Sequence, residues 1–150
     1  MLFDLIHNPV VIAGFIAMVT AQLLKPFVQY FISREWDWFL FIDNGGMPSS
    51  HSAMVTAVAI AIGMTSGFDT PVFAVSMALA VVVTYDAANV RWQSGLHAQR
   101  INQLIRDVFS GQQIDGELLK EAIGHTPRQV YAGVIWGIIV AVVVIEIWMA

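Results

Sequence analysis

The chain has no cysteine. That excludes a disulfide framework, a thiol nucleophile and a thiolate metal site. Charge is almost as scarce. Asp, Glu, Lys and Arg make up 12% of the 150 residues, about half the share usual in soluble domains. With a net charge of −4 and only seven Lys and Arg, there is no basic footprint for a nucleic acid. No internal repeat or low-complexity tract occurs. The first residues also lack the basic region and small-residue cleavage site of a signal peptide, so the N-terminal segment is expected to be a mature transmembrane helix.

What remains is apolar. Hydrophobic residues make up 57% of the chain, and the mean hydropathy is +0.69. This composition predicts an all-α, polytopic membrane protein with residues 1–150 in a single membrane-embedded domain. Four apolar segments stand out, at about residues 9–24, 51–67, 71–88 and 127–149. Each is near the roughly 20 residues that span a bilayer core, though the first two are short and would lean on their neighbours. Gly14, Gly63, Gly133 and Gly137 suit close helix packing in lipid.

Three connections join the four spans. Residues 25–50 carry Lys25, Arg34 and the Trp36/Trp38 pair, which predicts a segment lying at the interface. Residues 67–71 form a tight turn. In residues 89–126, "LHAQRINQLIRDVF" places Leu96, Ile101, Leu104, Ile105 and Phe109 near helical spacing, which predicts an amphipathic helix along the membrane surface. "SGQQIDGE" then reads as a loop, and "ELLKEAIG" as a short helix closed by Gly124.

Charge sets the expected orientation. With four spans, Lys25, Arg34, Arg91, Arg100, Arg106, Lys120 and Arg128 all fall on one side, and the other side holds Asp4, Asp69 and Glu146. The positive-inside rule then puts residues 25–50 and 89–126 in the cytoplasm and both termini outside. The expected location is the inner, cytoplasmic membrane, with membrane lipids as surroundings.

The polar residues cluster at the cytoplasmic ends of the spans. Lys25 closes the first span and Arg91 the third. His51 opens the second and His125 the fourth. Ser49 or Ser50 can cap the second helix, whose first-turn N–H groups have no partner within it and attract anions. Gly45 and Gly46 allow close backbone approach. Each residue also has an ordinary reading: Lys25 as a snorkelling anchor, Ser49 as a plain cap, His125 as a cap beside Pro127. Gathered at one depth, they would form an anion pocket suited to phosphate, with Arg gripping oxygens in bidentate fashion and Lys adding a point charge. Asp86 lies at a depth where acids are costly and usually paired or functional; it would orient a histidine or pair with Arg91.

The segment "MPSSHSA" resembles the P-S-x-H motif of the type 2 phosphatidic acid phosphatase (PAP2) superfamily, which includes vanadium haloperoxidases. The whole chain is more similar to that superfamily's divergent branch of small membrane proteins. The segments that carry this resemblance are "AQLLKP" (21–26), "GGMPSSHSA" (45–53), "YDAANVRWQSGLHAQRIN" (85–102) and "GHTPRQVYAG" (124–133). The resemblance implies metal-free hydrolysis of a lipid phosphate through a phosphohistidine, with no cofactor. A phosphorylated lipid would be the substrate, and a homodimer is an allowed assembly.

Residue by residue, Lys25 corresponds to the first-motif lysine. Ser49, Ser50 and His51 match the second motif, with Gly46 in support and His51 as general acid. Arg91 corresponds to the third-motif arginine. For the nucleophile two residues compete. His97 keeps the R-x5-H spacing but has Ile101 four residues on. His125 opens the last span with Gln129 four residues on, and is the preferred choice. The family's aspartate is absent after both. Val90 replaces the serine before Arg91, and the first motif's downstream Arg-Pro is missing. The rival readings are a non-catalytic protein that binds anionic lipid headgroups or phosphate, and a structural membrane subunit.

Overall fold

The computed structural model describes residues 3, 6–43, 45–108, 119 and 126–150. Every described element is helical. Helix α1 (Pro9–Ser33) is capped by the Asn8 side chain, which accepts from Val10 N and Val11 N. After a short 3-10 turn (Trp38–Phe41) come α2 (Ser50–Ser66) and α3 (Pro71–Tyr85). A π turn (Asp86–Val90) carries α3 into α4 (Arg91–Val108), and α5 (Pro127–Met149) ends the chain. Three runs are long and apolar enough to cross a membrane: Pro9–Ser33, Pro71–Val108 and Pro127–Met149. Ser50–Ser66 is a shorter apolar helix.

The bundle is organised around α2. Ser52, Ala53, Thr56, Ala57, Ala61 and Gly63 of this helix are buried, and α1, α3 and α5 all pack against it. A helix surrounded in this way needs no single apolar face. Its small side chains let its neighbours approach closely. A Cβ on Gly133 would stand 2.5 Å from the Ser49 carbonyl oxygen, and one on Gly137 would collide with the Ala53 carbonyl oxygen. Gly133 and Gly137, four residues apart, thus form a smooth groove on α5 into which α2 fits. The Trp136 indole N–H donates to Thr20 Oγ1 at 2.9 Å, which ties α5 to α1. Phe15, Val75, Leu79, Ile135 and Val143 point outward and are exposed, as expected of a lipid-facing shell.

Three sequence expectations need correction. The first helix does not stop near Leu24. It runs through Lys25 and Pro26 to Ser33, where Arg34 takes the left-handed conformation (φ 62°) and its N–H bonds Tyr30 O. Proline is tolerated inside a membrane helix because neighbouring groups can satisfy the freed carbonyl. Lys25 is therefore two turns inside α1 rather than at its end. Likewise the helix that carries the third span does not end near Ala88: it continues through the π turn and Arg91 to Val108. The amphipathic segment is present as α4 but is joined to α3 by the π turn, with no loop between. The loop expected at residues 110–117 lies outside the described residues, as does the short helix at 117–124 apart from Leu119.

Candidate functional site

Gln22 and Lys25 stand one turn apart on α1 and reach toward the segment before the glycine turn. The Gln22 side-chain N–H group donates to Leu40 O and Phe41 O, each at 3.1 Å, and to Asp43 O at 3.0 Å. Lys25 Nζ donates to the same Asp43 carbonyl at 2.9 Å, and the Asp43 carboxylate interacts with it electrostatically. Lys25 is completely buried. This is not the posture of a snorkelling anchor, whose head would lie in water.

The glycine turn closes over the lysine. Gly46 has φ +83°, and a Cβ there would lie 3.2 Å from Leu40 Cδ2 and 3.4 Å from Lys25 Cδ. Past Met47 and Pro48 the chain enters α2. Ser49 is its N-cap: its hydroxyl oxygen accepts from Ser52 N at 3.4 Å and from the Ser52 hydroxyl at 3.0 Å. The Ser49 N–H donates to Gln129 O at 3.0 Å, joining the cap to the first turn of α5. Ser49 and Ser50 are both buried. The Ser49 hydroxyl therefore points into the helix it caps, as its ordinary reading expected.

His51, in the first turn of α2, is exposed. With Gln22, Ser50, Met18, Leu23 and Phe41 it lines a groove of about 350 Å³ between α1, α2 and the 3-10 turn. On the other flank of α2, Asn89 of the π turn lines a second groove with Pro127 and Val130 of α5. Asp86 opens the π turn and is half-buried. One-turn π insertions of this kind recur at functional sites.

The structure thus brings Lys25, Gly46, Ser49, Ser50, His51 and Gln129 to one end of the bundle, with the Asp86–Asn89 turn against the start of α5. His97 is not part of this cluster in the same way. It lies on the exposed side of α4, whose buried side carries Gly95, Ala98 and Asn102, and α4 packs substantially only on the π turn among the described elements. Gln129 is engaged in a cap, its side-chain oxygen accepting from Thr126 N at 2.9 Å. His125 lies outside the described residues, and so does the side chain of Arg91. Among the described residues no three His, Asp or Glu side chains gather closely enough to hold a metal ion.

Sequence reasoning passed over Gln22 and Asp43. The available signal was an amide one turn before Lys25 in an otherwise apolar helix. It also left Asn102 unassigned. In the structure this buried amide pairs with the Leu119 main chain in both directions, at 2.8 and 2.9 Å.

Residues 6–140 match the family described as "Divergent PAP2 family". The "Uncharacterized membrane protein YuiD" of Bacillus subtilis is 36% identical, the match covering 97% of this chain and 99% of that protein. No solved structure matches.

Proposed function

Because the chain belongs to the divergent PAP2 family, we propose that it is a membrane phosphatase acting on the phosphate monoester or diphosphate of a lipid. Phosphatidate, phosphatidylglycerol phosphate and isoprenoid phosphates are the candidate substrates. The observation that carries this reading is the burial of Lys25 beside the glycine turn that leads into α2. A cation held inside a membrane protein is costly and marks a site or a pathway. Here it lies next to a helix N-terminus, whose partial positive charge favours the same anion.

In the proposed reaction an imidazole nitrogen of His125, or of His97, attacks phosphorus. The bond from phosphorus to the leaving oxygen breaks, and His51 protonates that oxygen. His51 then takes a proton from water, which attacks the phosphohistidine, breaks the P–N bond and frees phosphate. Lys25, Arg91 and the first N–H groups of α2 neutralise the phosphoryl oxygens. Ser49, Ser50, Gly46, Asp86 and Gln129 shape the site.

The proposed topology is one membrane domain with four crossings. At 1.5 Å per residue the 17 residues of α2 reach about 25 Å, against a core of about 30 Å. Its neighbours sheathe it, so it need not match the bilayer alone. The active site would lie at the cytoplasmic headgroup level, with both termini outside.

A second reading, a non-catalytic binder of anionic headgroups, draws support from the exposed position of His97 and the capping role of the Ser49 hydroxyl. One experiment separates the two. Purified protein in detergent with EDTA is given the candidate lipids, with His51→Ala, His97→Ala and His125→Ala in parallel. The phosphatase reading expects release that survives EDTA and falls at least about 100-fold in His51→Ala and in one other variant. Absence of release, with vanadate or phosphate still bound, would favour the binder.

A further inference from the structure

Helices α3 and α5 both pack on α2 but not substantially on each other. Two cavities, of about 370 and 190 Å³, lie in the gap and share Val81, Thr84 and Val134. They form one crevice. Thr56 and Ala59 of α2 lie along its deeper part, and their small side chains are what leave the space. The Thr84 hydroxyl donates to Ala80 O at 2.8 Å, so the wall offers an apolar occupant no unpaired donor there.

The crevice runs along α3 and the π turn from Met77 to Asn89 and along α5 from Pro127 to Ile138. At 1.5 Å per residue these stretches are about 16–18 Å long. A bilayer core about 30 Å thick has leaflets of about 15 Å. The crevice is therefore about as long as one leaflet is thick, and its polar end is the end where Asn89 meets the start of α5. The outer surfaces beside it, at Leu79 and Val82, are apolar and exposed. For helices that span a bilayer, the medium against such surfaces is lipid chains, so hydrocarbon is what an open apolar crevice meets.

We propose that this crevice holds one hydrocarbon chain of a phosphate-bearing membrane lipid, with the phosphate at the Asn89–Pro127 mouth. The identity of the headgroup rests on the lipid-phosphatase reading. Its placement follows from the polarity of the mouth: the N-terminal turn of α5 carries partial positive charge, and its Gln129 carbonyl holds the N–H of Ser49, the cap of α2, so the mouth adjoins the end of the bundle where Lys25 lies.

The test is photolabelling, which needs no turnover. Phosphatidate with a diazirine in one acyl chain is incorporated into phosphatidylcholine vesicles containing the protein, and adducts are mapped by mass spectrometry. The same labelled chain on diacylglycerol and on phosphatidylcholine, and inorganic phosphate as competitor, form the other arms. Adducts are expected on Val81, Thr84 and Val134. Val134→Trp and Val81→Trp each fill the crevice from a different wall and should lower those adducts about tenfold, the effect of denying burial to about two methylene groups. Val75→Trp, exposed elsewhere on α3, should leave them unchanged.

Adducts spread evenly over outward residues such as Phe15 and Ile139, or insensitive to both crevice variants, would overturn the proposal. Equal labelling by phosphatidate and diacylglycerol would overturn the placement of the phosphate, while displacement by free phosphate alone would show that the mouth binds the ion independently of the chain and would overturn a lipid-specific site. Labelling of the crevice without phosphate release would remove the phosphatase reading and leave the chain site standing. Release with scattered labelling would do the reverse.

Discussion

Replacing Gly133 by alanine adds one methyl group where α5 crosses the start of α2. In the native geometry that carbon would lie 2.5 Å from Ser49 O and 3.0 Å from Ser52 Cβ. Ordinary contact begins near 3.4 Å, so the two helices must separate locally by about 0.9 Å. The obstacle is main chain, which cannot rotate aside as a side-chain tip does. The bond from Ser49 N to Gln129 O, now 3.0 Å, would stretch to about 3.9 Å and be lost. Overpacking typically costs about 1–3 kcal/mol, and the lost hydrogen bond about 0.5–1.5 kcal/mol. Alanine's better helix propensity returns about 1 kcal/mol. The expected net loss is about 0.5–3.5 kcal/mol, read as a lower midpoint of thermal unfolding in detergent for Gly133→Ala than for wild type. Because the same shift moves the cap of α2 away from α5, phosphate release or headgroup binding should weaken in parallel. An unfolding midpoint equal to or above the wild-type value would refute the close α2–α5 contact from which the estimate is built.

Three other outcomes are expected. Gln22→Leu strips the donor group that holds Leu40 O, Phe41 O and Asp43 O, and should cost about 1–3 kcal/mol, seen as a lower unfolding midpoint with α1 still helical by circular dichroism. Lys25→Met keeps much of the buried stem and leaves Asp43 O its bond from Gln22. It should therefore fold, but weaken binding of phosphate or vanadate by roughly 10- to 100-fold, the value of a charge-assisted hydrogen bond; unchanged binding would remove Lys25 from the site. A reporter fused after Ala150 should read as extracytoplasmic, and a cytoplasmic reading would overturn the four-crossing orientation.

Composition alone was enough for the membrane class and for helices as the described elements. With charge this sparse, long apolar runs must satisfy their own backbone groups in lipid, and helices do that within one segment. The last helix was legible at close to its observed bounds, because Pro127 marks its first turn and no further proline follows. So was the capping of α2 by one of the serines Ser49 and Ser50, of which the structure selects Ser49. The four motif segments sufficed for the family resemblance.

The end of α1 was misread because hydropathy falls at Lys25 whereas helix does not. Only burial against the glycine turn makes a lysine tolerable there, and that turn lies about 20 residues downstream. The continuity of α3 and α4 was hidden for the same reason, since polarity changes at Asp86 without breaking the helix. Which face of α2 meets which neighbour, and that α3 and α5 leave a crevice between them, were decided by packing. A small-residue helix is nearly featureless around its axis, so only its fit against the Gly133–Gly137 groove selects one orientation.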